Sequence, residues 1–191
     1  MEQIAKKLTD YILNKNVISK EHYDIYVYGF QSALETTISF MAAFLISLIL
    51  KAVPEFLFFS FFFLLMRSYT GGLHLKTCKA CFVSSCVILI VAILATRYIH
   101  IHYGVSLAIY LASILVIIAT GPVDHPNKKI DESDNIRYKL KSNIILVISL
   151  FTAFFLFATK NTHYLELEAI TFVLIAVTGL LGKKYNKSTG T

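Results

Sequence analysis

A histidine and two cysteines lie close together at the edge of an apolar stretch of this chain. Within residues 67–81, His74 is followed by Cys78 and then by Cys81. A thiolate beside an imidazole is either a nucleophile next to its base or the beginning of a metal site, because zinc binds both groups. This segment is therefore the first candidate for the functional site of the protein.

Local geometry leaves two cysteines open as the nucleophile. On a continuous helix His74 and Cys78 lie one turn apart, whereas His74 and Cys81 are separated by roughly 10.5 Å along the axis. The glycine pair 71–72, however, favours a turn from which His74 could fold back. Thr77 would then cap the next helix, and Cys81 would lie in the first turn, where the positive end of the helix dipole favours a thiolate.

A metal site is the competing interpretation of the same residues. His74, Cys78 and Cys81 supply three zinc ligands, but no fourth ligand is obvious, and a closed zinc site inside a helical bundle would be unusual. We therefore predict no metal and no cofactor. Three cysteines within nine residues on the reducing side of a membrane also argue against a disulfide framework, and Cys86 is interpreted as a small apolar core residue.

The composition identifies the class of protein that must position these groups. Of the 191 residues, 56% are hydrophobic and only 16% are charged, with a mean hydropathy of +0.64, which is typical of an all-α integral membrane protein. We predict one membrane-embedded domain, residues 1–191, with about six transmembrane helices. Because the second apolar block is short, four spans with two re-entrant segments remain the alternative. The apolar blocks are 30–50, 53–66, 80–99, 104–120, 143–159 and 164–182.

The polar segments predict the orientation of the chain. Residues 1–28 are expected to hold an amphipathic helix in the interface, residues 121–142 a cytoplasmic loop, and residues 183–191 a cytoplasmic tail. With the N-terminus inside, every lysine and arginine except Lys51, Arg97 and Lys160 falls on the inner side. Basic residues near spans stay in the cytoplasm. The His74 segment is therefore expected to face the cytoplasm, and the net charge of +6 to contact anionic membrane lipids rather than nucleic acid.

Five further side chains are candidates for the site. Gln31 is expected at the inner end of the first span, where its amide could orient an imidazole, stabilise an oxyanion or form an ordinary interhelical hydrogen bond. Glu35 shares its helix face and could face the site or pair with Arg67. Arg67, Lys128 and Lys129 could bind an acidic substrate, although a snorkelling side chain and a solvated loop explain them equally well.

These motifs resemble those of one family. The run Gly71-Gly72-Leu73-His74, with Cys81 after six intervening residues, resembles the signature of the accessory gene regulator protein B (AgrB) family, membrane cysteine endopeptidases of Gram-positive quorum sensing. The run Pro-Val-Asp-His-Pro-Asn-Lys at 122–128 and the run Gly-Phe-Gln at 29–31 are similar to further elements of that family. The resemblance extends over essentially the whole chain.

The resemblance implies a reaction and assigns roles. His74 matches the catalytic histidine and Cys81 the nucleophile, whereas Cys78 has no counterpart. The substrate would be a short amphipathic propeptide (AgrD-like), a precursor of an autoinducing peptide. Its C-terminal part would be cleaved off through a Cys81 acyl-thioester, and the rest cyclised to a thiolactone or lactone. A homodimer in the bacterial cell membrane is implied. The alternative is a small membrane transporter or scaffold with a structural histidine and cysteine cluster.

Overall fold

The fold was analysed in a computed structural model that describes residues 2–70, 78–121 and 132–189. Regular structure in these ranges is entirely helical, with one 3-10 turn at Lys20–His22. The α-helices are α1 (Glu2–Asn14), α2 (Tyr23–Ile49), α3 (Val53–Thr70), α4 (Cys78–Tyr98), α5 (Tyr103–Thr120), α6 (Glu132–Ala158) and α7 (Thr162–Thr189). The predicted all-α architecture is confirmed.

Helix α1 packs against the start of α2 through its small side chains. Ala5 and Thr9 are fully buried, whereas Tyr11 remains 64% exposed. The Tyr23 hydroxyl donates to Asp10 Oδ1 at 2.8 Å and ties the two helices together. The amphipathic helix thus ends at Asn14, and the first long helix begins well inside the range 1–28 that was expected to be interfacial.

Helices α2 to α7 run alternately up and down, so the bundle has two distinct ends. At one end Arg97 donates to the Lys51 carbonyl oxygen at 3.0 Å, and His163 Nε2 lies 3.2 Å from Glu55 Oε1. We call this the Glu55 end; it comprises the turns 50–52, 99–102 and 159–161. Lys160 also lies at this end. The three basic residues that were predicted to lie on the outer side, Lys51, Arg97 and Lys160, therefore share one end of the bundle.

The opposite end, the Cys81 end, collects the starts of α2, α4 and α6 and the ends of α3, α5 and α7. There Lys183 Nζ donates to the Thr120 carbonyl oxygen at 2.9 Å, which links the ends of α5 and α7. The Lys141 ammonium lies 5.2 Å from the Tyr69 ring centre and links α6 to α3. The candidates that the structure describes, on α2, α3 and α4, all belong to helices that start or end here.

The core is built around aromatic side chains of α3 and α7. The Phe62 ring packs 6.0 Å from the Phe172 ring, and the Tyr110 ring of α5 meets Phe172 at 5.0 Å. Because lipid is as apolar as these side chains, helices in a bilayer associate through close packing rather than through the hydrophobic effect. The interlocked rings fix how α3, α5 and α7 sit against one another.

Within the part of the chain that the structure describes, four helices are long and apolar enough to cross a membrane: Lys20–Ile49, Tyr103–Thr120, Ile136–Ala158 and Thr162–Lys184, with Phe82–Tyr98 as a shorter apolar helix. The chain is therefore an all-α membrane protein. Helix α3 has 18 residues and extends the short second apolar block to Thr70. That α3 and α4 also span the membrane stays a prediction.

Two of the polar segments differ from expectation. The segment expected as a loop, 121–142, is helical from Glu132 onward, and the segment expected as a tail, 183–191, continues α7 to Thr189. In both places the polar residues extend a spanning helix beyond its apolar part. The connection that precedes α6 is correspondingly shorter than the sequence suggested.

Candidate active site

Cys81 lies at the beginning of a helix. Helix α4 starts at Cys78, so Cys81 is its fourth residue and lies in the first turn, as expected if the preceding glycine pair forms a turn. The first backbone N–H groups of a helix have no carbonyl partner one turn earlier in the same helix and can donate to an anion. The start of α4 thus offers a dipole whose positive end favours a negative charge near Cys81.

Several sequence candidates fall outside the described residues. These are His74 with the glycine pair 71–72, Thr77, and the lysines Lys128 and Lys129. The expected approach of His74 to Cys81 therefore stays a prediction, and so does the choice between Cys81 and Cys78. The described parts of the site are the backbone of α4 and the side chains of α2 and α3.

Gln31 and Glu35 form a hydrogen-bonded pair on α2. Gln31 Nε2 donates to Glu35 Oε1 at 2.9 Å, and both side chains are half-buried. The expected shared face at one-turn spacing is therefore present. The hydrogen bond to the carboxylate restricts the orientation of the Gln31 amide, whose carbonyl oxygen is an acceptor by chemistry.

The position of Gln31 along α2 agrees with the membrane boundary. A span needs about 20 residues, and twenty residues counted back from Ile49, the last residue of α2, reach Phe30. Helix α2 also packs against α4, the helix whose first turn contains Cys81. Gln31 thus lies near the level where the apolar part of α2 begins, on a direct neighbour of the cysteine-bearing helix.

Arg67 lies in the last turn of α3. Its guanidinium sits 5.8 Å from the Phe63 ring centre, one turn earlier on the same helix, and the side chain is half-buried. A cation over an aromatic face is favourable, and a cation near a helix C-terminus complements the dipole. Arg67 therefore has a structural role at the Cys81 end whether or not it also contacts a substrate.

A cavity of about 250 Å³ opens at the same end between α3, α5 and α6. Its walls are apolar at Ile117 and Leu146 and polar at Lys139 and Asn143. Thr70 also lines it and immediately precedes the segment that carries His74. A cavity with one cationic and one amide side chain suits a polar or acidic peptide segment.

Sequence reasoning missed two glutamates in α7. Glu166 is 3% exposed and its Oε1 accepts from the Ile101 backbone N–H at 2.8 Å, which anchors the turn 99–102 to α7. Glu168 is fully buried. Both stand inside the apolar block 164–182, and an ionisable residue within a span is costly enough to mark a position of interest. That signal was available in the sequence.

Comparison with known proteins identifies the family. The model of the family Accessory gene regulator B matches residues 5–181. A Clostridium perfringens SM101 protein described as AgrB-like is 26% identical over 159 residues, which cover 79% of this chain and 74% of that protein. A Clostridium beijerinckii protein of the same description is 24% identical over 184 residues, or 92% and 89% of the two chains. No solved structure matches the chain significantly. With the family model matching residues 5–181 and with an all-α membrane fold, the chain belongs to the accessory gene regulator B family.

Proposed function

We propose that the protein is a membrane cysteine endopeptidase that cleaves a short propeptide and closes the released part into a ring for quorum sensing. The family match over residues 5–181 carries this proposal. The start of α4 at Cys78 supports it, because a thiol in the first turn of a helix is favoured as thiolate. His74 is the proposed base and Cys81 the proposed nucleophile.

The first step is acylation of Cys81. His74 takes the thiol proton, and Cys81 Sγ attacks the carbonyl carbon at the scissile bond of the propeptide. The C–N bond breaks, His74 returns the proton to the leaving amine, and an acyl-thioester remains on Cys81. The positive end of the α4 dipole favours the oxyanion that forms on the way.

The second step is transfer of the acyl group within the bound peptide. A cysteine or serine of the peptide attacks the thioester, the bond to Cys81 Sγ breaks, and the proton of the attacking group passes to the Cys81 sulfur. A thiolactone or lactone ring leaves the enzyme without consuming water. The site must exclude water until the internal nucleophile arrives, and a position at the boundary of the apolar bundle provides such shielding.

Gln31 is the proposed positioning residue, and Glu35 holds it in place. The 2.9 Å hydrogen bond from Gln31 Nε2 to Glu35 fixes the amide orientation. The Gln31 carbonyl oxygen is then an acceptor for the ring N–H of His74, as the third member of a catalytic triad would be. Glu35 thereby acts through Gln31 rather than on the substrate.

Replacing Gln31 by alanine is expected to lower the processing rate by roughly 10²-fold while the protein still inserts into membranes, because the imidazole loses its orientation. Glu35→Gln is the matched variant: it keeps an acceptor for the Gln31 amide, so a smaller loss is expected. The rate of propeptide cleavage at equal membrane content of each variant is the measurement. A Gln31→Ala variant as fast as wild type would assign Gln31 a purely structural hydrogen bond.

Substrate binding is proposed to use the basic groups at the Cys81 end. Arg67, Lys128 and Lys129 would hold an acidic part of the propeptide, and the cavity beside Lys139 and Asn143 offers room for the adjoining residues. Exposed ion pairs weaken as salt rises. Processing should therefore slow with ionic strength; equal rates at all salt concentrations would exclude these side chains from substrate binding.

The location, orientation and assembly of the protein are part of the proposal. A multi-pass protein of the bacterial cell membrane with the Cys81 end in the cytoplasm agrees with the placement of all but three basic residues. A homodimer is the proposed assembly. Thiol labelling from each side of the membrane and crosslinking in intact membranes test the two statements.

Processing of a co-expressed propeptide with a central cysteine tests the proposed function as a whole. A ring is lighter by one water molecule than the linear fragment that hydrolysis would give, so mass spectrometry separates the two products. The proposal expects the ring. A linear fragment alone would make the protein a simple peptidase, and an uncleaved propeptide would contradict the proposal.

A further inference from the structure

Two fully buried polar side chains in α5 and α7 have no partner within the described part of the chain. Glu168 and Ser106 are both 0% exposed. No donor among residues 2–70, 78–121 and 132–189 reaches either carboxylate oxygen of Glu168, and the Ser106 hydroxyl also lacks a partner there. Buried polar groups are nearly always paired, so each of these calls for an explanation.

The packing of the two helices places these side chains at the same level. Helices α5 and α7 run parallel, because Ile101 contacts Glu166 at one end and Thr120 contacts Lys183 at the other. The Tyr110 ring meets the Phe172 ring at 5.0 Å. Ser106 stands one turn before Tyr110, and Glu168 one turn before Phe172. Ser106 and Glu168 therefore lie at the same level of the bundle, one turn from the ring contact toward the Glu55 end.

The titratable groups nearest to Glu168 along α5 and α7 bring no positive charge to it. Tyr110 is fully buried, interacts electrostatically with Glu168, and shares a hydrogen bond of 2.6 Å with Ser149 Oγ. The neighbouring Glu166 is engaged with the turn 99–102. The imidazole of His163 at the start of α7 is paired with Glu55 of α3. Within the described residues, no lysine or arginine forms an ion pair with Glu168.

We propose that Glu168 and Ser106 form a binding site for one monovalent cation, taken as Na⁺ or as a proton. A bare carboxylate inside a membrane protein is too costly to persist, so the site must carry one positive charge. Carboxylate and hydroxyl oxygens are the ligands that a hard cation prefers. A proton would remove the same charge, since a protonated carboxyl group is neutral.

This site is separate from the proposed peptidase centre. Glu168 stands six residues from the start of α7, about 9 Å inside the Glu55 end of the bundle. Cys81 belongs to the opposite end. The proposed cation site therefore does not depend on the proposed function. Its test needs no substrate.

The test is the melting temperature of the purified full-length protein in detergent micelles. NaCl is compared with choline chloride at equal ionic strength, once at alkaline and once at mildly acidic pH. If Na⁺ is the ligand, NaCl at ten times Kd raises the melting temperature by roughly 3 °C or more at alkaline pH. If the ligand is a proton, acidification gives the rise and Na⁺ does not.

Glu168→Gln should remove whichever response the wild type gives, because an amide needs no cation. Glu166→Gln is the matched control two residues away; it keeps an acceptor for Ile101 and should keep the response. Ser106→Ala removes one ligand oxygen and should require more Na⁺, or a lower pH, for the same rise in melting temperature. This variant tests the site even if the Glu168→Gln variant does not fold. A wild type that responds to neither ion, or a Glu168→Gln variant with the full response, would overturn the site.

Discussion

Replacing Cys81 with alanine is expected to abolish propeptide processing, with a loss of at least roughly 10³-fold, because no acyl-enzyme can form without the nucleophile. The matched variant is Cys78→Ala, which removes a thiol three residues away at the start of the same helix. It should process the propeptide at close to the wild-type rate. Cleavage of a co-expressed propeptide, compared at equal protein levels, is the measurement.

The same pair of variants separates the peptidase from a metal site. If His74, Cys78 and Cys81 held zinc, both variants would lose function and added zinc would restore part of it. Loss with Cys78→Ala alone would move the nucleophile to Cys78, which a continuous helix from His74 would favour. Only loss confined to Cys81 agrees with the chemistry proposed here.

The second large effect is expected at His74. His74→Ala should slow processing by roughly 10²- to 10⁴-fold, the range that a positioned general base contributes. It should also slow alkylation of Cys81 at neutral pH, because the thiolate loses its imidazolium partner. His100→Ala is the control, since His100 is exposed at the Glu55 end.

Alkylation kinetics make this prediction specific. A variant that merely loosens the bundle would expose Cys81 and speed its alkylation, whereas loss of the base slows it. Unchanged processing in the His74→Ala variant would remove His74 from the mechanism. Slow processing with unchanged alkylation would leave His74 a role only in binding or in protonating the leaving amine.

Hydropathy alone predicted most of the helical framework. The apolar block 104–120 corresponds to α5 at Tyr103–Thr120, and the start of the block 53–66 coincides with the start of α3, where Pro54 and Glu55 suit a first turn. One-turn spacing also predicted the shared face of Gln31 and Glu35, now seen as a hydrogen bond. These features depend on local sequence, which is why they could be anticipated.

Hydropathy failed to predict helix in polar segments of the chain. The segment 132–142 was interpreted as loop because it is charged, yet it forms the first turns of α6. Its first residues, Glu132, Ser133 and Asp134, are typical of a helix N-terminus, where acids complement the dipole. A helix that continues beyond the membrane needs no apolar residues there, so hydropathy could not detect it.

Tertiary packing accounts for what no local pattern reveals. Glu168 could be noticed as a charge in an apolar block, but its position level with Ser106 follows from the parallel packing of α5 and α7. Likewise the cavity beside Lys139 needs three helices that are distant in sequence. The juxtaposition of His74 and Cys81 still rests on the motif.

The proposed acyl-thioester on Cys81 is tested most directly by the mass of the protein itself while it processes a propeptide. The propeptide is supplied with its ring-closing cysteine replaced by alanine, so that the acyl group cannot leave by cyclisation. The account predicts that the protein gains the mass of the N-terminal propeptide fragment, that neutral hydroxylamine removes it, and that peptide mapping places it on Cys81. An adduct on Cys78, or cleavage without any hydroxylamine-sensitive adduct, would contradict the account.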